Sequence, residues 1–205
     1  QKKMRDFARE NNIDFWEGKG VCHQVMMEHY VCPGELIFGA DSHTCSYGAL
    51  GAFGTGVGCT DLLYGMVTGK SWVLVPETVK FNLVGKLPEG VYARDLILTI
   101  IGTIGANGCN YQVMEFTGEG AKTLSISERM VLCNMAVEAG AKTGIFEPDE
   151  KAIEYLKAHG RKPKALFTSD PDAVYAREYT FDLSKIRPVV AKPDFVDNLV
   201  PAEEV

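Results

Sequence analysis

The sequence has no excess of positive charge, no long apolar run and no paired cysteine motif. Lys and Arg number 21 against 27 Asp and Glu, a net charge of -6. That balance argues against nucleic acid or an anionic membrane as the main partner. No apolar stretch approaches the roughly 18 residues of a membrane span, because Gly, Thr or a charge breaks each one at about half that length. The six cysteines, at 22, 32, 45, 59, 109 and 133, include no C-x-x-C spacing, and no basic-then-apolar leader precedes them. Free thiols in a cytoplasmic protein are therefore expected, each a small buried hydrophobe first of all. The strand-to-helix turn G-x-S-x-G is also lacking. The string around Ser42 is A-D-S-H-T, so Ser42 with His43 as its base makes a poor hydrolase.

What is present suits a folded enzyme. The 205 residues, 46% apolar and 23% charged, can bury a real core as one large domain or two small ones. The chain begins at Gln1 and ends on "NLVPAEEV", and both ends read as internal to a longer protein. Helical spacing covers 2–10. A Gly turn, a short helix and a strand over 35–40 follow, leaving Asp41, Ser42 and His43 just past the strand's carboxyl end, where ligands gather in α/β sheets. The glycines at 48, 51, 54, 56 and 58 read as a loop free to approach a ligand closely. A helix is expected from Thr60 to near Gly69.

Pro76 marks a change to β-rich sequence, so a domain boundary is expected near 75. Beyond it the spacing predicts a strand over 78–84, a helix over 93–104 and a strand over 111–117. A capping box at Ser125 and Glu128 opens a helix through Ala139. Another helix runs over 149–158, with Gly160 as its stop. "EYTFDLS" reads as a strand and "IRPVVAKPD" as an extended exit. The alternation predicts layered α/β architecture.

Two histidines stand in suggestive places. His23 lies between a Gly turn and a helix, and His43 closes the Asp-Ser-His triplet. A carboxylate beside a histidine holds one tautomer and makes it a usable acid or base. Asp41 and His43 are two apart, so on extended backbone they point to the same side. Taken alone, the triplet is either half of an active site or a satisfied polar loop. Asn134 and Glu138 are four apart and would share a helix face, as a solvated stripe or a pair buried for a purpose. His29, His159, Arg94 and Asp95 read as surface or structural groups.

"GVCHQV", "GADSHTCSYGALGAFGTGVGCTD", "GVYARDLIL", "MEFTGE" and "ERMVLCNMAVEAGAKTGIFEPD" together resemble the aconitase superfamily, and within it the 3-isopropylmalate dehydratase large subunits. The resemblance implies three-layer α/β/α aconitase-like domains: 1–75 as the back part of a first domain, 76–198 as a second, and 199–205 as the start of a linker. It implies a hydro-lyase that isomerises 2-isopropylmalate and 3-isopropylmalate in leucine biosynthesis, with homoaconitate hydratase or a methylmalate-type dehydratase as neighbouring readings. A non-catalytic binding module is the alternative from another class.

Carried over by motif, His23 would pair with Asp41 and His43 with Glu138. Ser42 would contact substrate, and Asn134 would hydrogen-bond within the site. The resemblance also implies a [4Fe-4S] cluster and a separate small subunit, in a heterodimer or heterotetramer. The cluster-ligand segments Ser-Cys-Thr-Asn and Cys-Gly-Pro-Cys do not occur here, nor does the family's upstream Asp-His motif. No metal ligand is therefore expected within the chain, and the chain alone is expected to be inactive.

Overall fold

Helices and strands alternate along the chain. The computed structural model describes residues 1–205. Its helices are α1 (Lys2–Glu10), α2 (Cys22–His29), α3 (Cys59–Thr68), α4 (Ala93–Ile104), α5 (Glu119–Thr123), α6 (Ile126–Asn134) and α7 (Glu150–Ala158). Its strands are β1 (Leu36–Gly39), β2 (Phe53–Gly56), β3 (Thr78–Val84), β4 (Val113–Thr117), β5 (Thr143–Phe146), β6 (Arg177–Asp182), β7 (Val189–Ala191) and β8 (Leu199–Pro201). The architecture is mixed α/β. No helix is long and apolar enough to cross a membrane.

The main sheet has the order β5-β4-β3-β6, and every pairing in it is parallel. β3 shows the period-two pattern its sequence dictates, with Val79, Phe81 and Leu83 fully buried. Phe81 stacks on Tyr179 of β6 and lies 5.6 Å from Phe116 of β4, which stacks in turn on Phe146 of β5. Each such ring or aliphatic side chain contributes about 1.5–3 kcal/mol when buried. α4 adds Leu96, Ile97, Ile100 and Ile101 to the same core. That core is continuous across residue 75, since Met27, Val31, Tyr47 and Leu50 belong to it as well.

A second, smaller sheet pairs β1 with β2 in parallel, Leu36 opposite Phe53 and Gly39 opposite Gly56. The residues read as a glycine loop are thus more ordered than expected. Ser42–Leu50 winds as a 3-10 helix, Gly51 ends it in left-handed backbone at φ +79, and β2 follows. The glycines serve contacts within the chain. A Cβ at Gly48 would sit 1.7 Å from the Gly144 carbonyl oxygen of β5, and one at Gly56 would sit 2.8 Å from the Asp41 carbonyl oxygen. Bare backbone at these points lets the 3-10 helix press against β5 and the Asp41 turn lie directly on β2.

The expected capping box forms at Ser125 and Glu128. The helix it opens is shorter than expected, because α6 tightens at Met135 into a 3-10 turn over Met135–Ala139. At the other end of the chain, β7 and β8 form an antiparallel pair where the sequence suggested an extended exit.

Candidate active site

The turn after β1 is organised by Asp41. Its carboxylate oxygen Oδ1 accepts the His43 backbone N–H at 2.8 Å, capping the 3-10 helix. The Thr44 hydroxyl donates to the Asp41 carbonyl at 2.7 Å. This cap fixes where the carboxylate points. Oδ1 then lies 3.0 Å from Nε2 of His23 and 3.4 Å from Nδ1 of His43. The Ser42 hydroxyl is 3.2 Å from the same His43 nitrogen. The two imidazoles stand 6.4 Å apart, tilted toward one another across the carboxylate.

His23 reaches this turn from the first turn of α2. α2 is held at its far end by Arg161, whose guanidinium donates to the carbonyls of Met27 and Val31. That arrangement satisfies carbonyls a helix terminus leaves free and sets a cation at the negative end of its dipole. On its other side, His23 meets the buried Tyr47 hydroxyl, 3.3 Å from Nδ1. With the Nε2 hydrogen donated to Asp41, the neutral ring accepts from Tyr47 through Nδ1.

The carboxyl of Asp41 is held below the ordinary carboxylate range. The His43 N–H is the main cause; burial opposes it, and the His23 hydrogen bond adds to the lowering. The Tyr47 hydroxyl is pushed up by burial and stays protonated as a donor. A carboxylate set between two imidazoles orients both rings and favours one tautomer of each. The group can therefore hold a proton ready for a leaving oxygen and take one back.

From α6, Asn134 donates to the Ser46 hydroxyl at 3.0 Å, and Ser46 donates to the His43 carbonyl at 2.7 Å. Two elements far apart in sequence thereby fix the His43 backbone. His23, His43, Ser46, Asn134 and Glu138 all line one cavity of about 920 Å³. Ser42 opens instead on a neighbouring cavity of about 410 Å³.

The pairing expected between His43 and Glu138 does not form, since His43 makes its only ion-pair contact with Asp41. Asp41 is drawn to His43 by the N-terminal cap. Glu138 lies in the 3-10 turn beyond the end of α6 and lines the same cavity as Asn134 without an ion-pair partner.

Sequence reasoning missed Ser46, Tyr47 and Arg94. Ser46 and Tyr47 are buried, and only the 3-10 winding of 42–50 brings them under the histidines. Arg94, read as a solvated charge, lines the 920 Å³ cavity together with Tyr155 and His159 of the far wall. His159 packs on Tyr155 at 4.4 Å and donates to its carbonyl. Asp95 accepts the Tyr92 N–H at the start of α4 and the Val189 N–H of β7, a structural role.

The six cysteines are all free. Cys22 and Cys59 are exposed, and Cys32, Cys45, Cys109 and Cys133 are buried. No three His, Cys, Asp or Glu side chains come together closely enough to hold a metal ion. The side chains of this chain therefore do not make a thiolate set for an iron–sulfur cluster. What they offer is proton handling and hydrogen bonding.

Comparison with known proteins covers the whole chain. The chain is 51% identical over 207 residues to 3-isopropylmalate dehydratase large subunit 1 of Methanopyrus kandleri, covering 100% of this chain and 50% of that protein. It is 54% identical over 204 residues to the corresponding large subunit 1 of Pyrococcus furiosus, covering 98% and 48%. It is 49% identical over 206 residues to the large subunit of Aquifex aeolicus, covering 99% and 48%. The chain thus spans about half the length of these curated relatives. The family described as the aconitase family (aconitate hydratase) matches residues 1–205, and the chain belongs to the aconitase family.

Proposed function

We propose that the protein containing this chain is a hydro-lyase large subunit that isomerises 2-isopropylmalate and 3-isopropylmalate by removing and re-adding water, in leucine biosynthesis. The observation that carries the reading is the single Asp41 oxygen set between the His23 and His43 imidazoles at the wall of a large cavity. Identity of about half to large subunits of that name, along the whole chain, supports the substrate. The working enzyme would include a [4Fe-4S] cluster held by residues outside this chain, and a small subunit. Six free cysteines suit the reducing cytoplasm.

Dehydration must pass a proton to a departing hydroxide, which is a poor leaving group. In this reading His23 or His43, oriented by Asp41, donates that proton and recovers it on rehydration. Ser42 hydrogen-bonds the substrate. Asn134, through Ser46, keeps His43 in place, and Glu138 supplies a carboxylate on the facing wall. The test is to assemble the full-length large subunit with its small subunit under anaerobic conditions and assay isopropylmalate, homoaconitate and methylmalate in parallel. Turnover confined to isopropylmalate supports the reading. Preference for either other acid overturns the substrate, and activity that survives both His23→Ala and His43→Ala overturns the mechanism.

A further inference from the structure

Of the two imidazoles that share the Asp41 oxygen, one is closed at both nitrogens and the other is not. Nε2 of His23 is 3.0 Å from Oδ1 of Asp41, and its Nδ1 is 3.3 Å from the Tyr47 hydroxyl. In His43 only Nδ1 is engaged, by the Ser42 hydroxyl at 3.2 Å and Asp41 at 3.4 Å. Its Nε2 has no partner within the chain. Exposure follows the same division, 13% for the His23 side chain against 39% for that of His43. Both rings line the 920 Å³ cavity, yet His43 alone has a free nitrogen to offer there.

The donors and acceptors present fix how His23 is held. An ionised carboxylate only accepts, so Nε2 of His23 carries hydrogen. Nδ1 of the neutral ring is then an acceptor, and the Tyr47 hydroxyl is its donor. If the ring takes up a proton, the same hydroxyl rotates and accepts from Nδ1 instead. Tyr47 is 4% exposed, and this is the only hydrogen bond its hydroxyl makes. Burial keeps that hydroxyl protonated. The phenol has little freedom to leave. Its ring packs on bare backbone of β2, where a Cβ at Gly54 would lie 3.0 Å from Cδ2 of Tyr47 and 2.2 Å from the Thr44 carbonyl oxygen. The carbonyl of Tyr47 also accepts the Gly51 N–H that closes the 3-10 helix.

We propose that Tyr47 is a positioning residue that locks His23 against Asp41, leaving His43, through Nε2, as the imidazole of this pair that exchanges a proton with substrate. The assignment rests on the hydro-lyase reading above and divides the roles of the two histidines. Tyr47, His23, Asp41 and His43 form one chain of contacts that runs from the core to the cavity wall. The departing hydroxide takes the proton of His43 Nε2, and the attacking water returns one to the same atom on rehydration. His23 gives up no proton. Its work can therefore be done by any neutral group that bridges a phenol and a carboxylate.

The test uses the assembled enzyme with Tyr47→Phe, His23→Gln and His43→Gln. Glutamine offers an N–H to Asp41 and a carbonyl to Tyr47 but no titrating proton, so His23→Gln should cost only about tenfold in kcat. His43→Gln should cost on the order of 10²-fold or more, as loss of an acid–base group does. Equal losses from the two, or a larger loss at His23, overturn the division of roles. Tyr47→Phe keeps the ring and removes one hydrogen bond, so kcat should fall about fivefold with KM unchanged. In a His23→Ala background it should cost nothing more, because its only route to the site has gone. A full further loss in that background, or no loss in the wild type, removes Tyr47 from the mechanism. Imidazole nitrogen NMR of the large subunit, labelled at histidine, gives a readout independent of turnover. The Nδ1 resonance of the neutral His23 ring, identified by its loss in His23→Gln, should move on Tyr47→Phe. A shift that moves supports the contact even if isopropylmalate is not the acid turned over. A shift indifferent to Tyr47→Phe, with turnover intact, overturns this inference alone.

Discussion

Nε2 of His23 lies 3.0 Å from Oδ1 of Asp41, joining the first turn of α2 to the turn that follows β1. The same oxygen caps the His43 N–H, so one carboxylate orients both imidazoles. Asp41→Asn keeps the shape of the cap but removes the carboxylate charge beside the two imidazoles. In the assembled enzyme it should cut turnover by on the order of 10²-fold, the scale of a lost acid–base group. The sign of the pH dependence follows from the lowered Asp41 carboxyl. Its contribution is fully present above the ordinary carboxylate range and is lost as pH falls through its lowered folded value. The ratio of wild-type to Asp41→Asn turnover should therefore be flat through neutral pH and collapse only below about pH 4. A ratio that changes between about pH 6 and 8 would show a different group in this role.

Gly48 and Gly65 give a paired test of close approach. A Cβ at Gly48 meets the Gly144 carbonyl oxygen at 1.7 Å, backbone against backbone, whereas one at Gly65 in α3 finds its nearest neighbour at 3.9 Å. Gly48→Ala should destabilise by about 3 kcal/mol or prevent folding, as overpacking against unyielding atoms does. Gly65→Ala should stabilise by about 0.5–1 kcal/mol, the usual gain within a helix. Urea denaturation of the two variants checks both signs at once.

Much of this architecture is legible locally, and the parts that are not share a cause. The strand over 78–84 follows from alternation and the helix over 93–104 from its apolar face, and both form with those bounds. The capping box at Ser125 needs only residues three apart. β2 has no such signature, because Gly54 and Gly56 within it look like loop residues, yet parallel pairing with β1 makes them strand. Contacts of long range are equally silent. The spacing of Asp41 and His43 suggests one neighbour for the carboxylate, but docking of α2 brings His23 from 18 residues away. Nothing in the sequence near Ser46 announces that Asn134 will reach it from 88 residues further on.

The six thiols should divide cleanly by reactivity. Burial pushes the Cys45 thiol up to about 12 and the Cys109 thiol to about 11, and raises Cys133 well above the ordinary value. Only the thiolate reacts with an alkylating agent or disulfide reagent. At about pH 8, Cys22 and Cys59 should be modified first, as the exposed members of the set. Cys32, Cys45, Cys109 and Cys133 should react only once the chain is unfolded. Peptide mass spectrometry after brief alkylation, with and without denaturant, reads the division. Early labelling of Cys45 would mean that the 3-10 helix under the site opens readily.

Arg129 and Asp149 form the one deeply buried ion pair, and its asymmetry predicts unequal variants. The Arg129 side chain is 1% exposed, while that of Asp149 is 26% exposed. Arg129 Nη1 donates to Oδ1 of Asp149 at 2.9 Å, and the same oxygen caps α7 through the Ala152 N–H at 3.2 Å. Asp149→Ala strands a guanidinium away from water and removes a helix cap, which should cost about 3–5 kcal/mol. Arg129→Met leaves a carboxylate that water can reach and puts a matching apolar chain against Phe146, so it should cost less. Burial works to raise the Asp149 carboxyl, but the Arg129 bonds and charge, with help from the Ala152 N–H, outweigh it and hold the group below its ordinary value. A lowered carboxylate contributes stability above the unfolded value and loses it as pH falls through the folded one. The stability gap between wild type and Asp149→Asn should therefore persist at about pH 5 and close only below about pH 4. Denaturation at several pH values reads this gap, and one that closed on the alkaline side would assign the stabilisation to some other group.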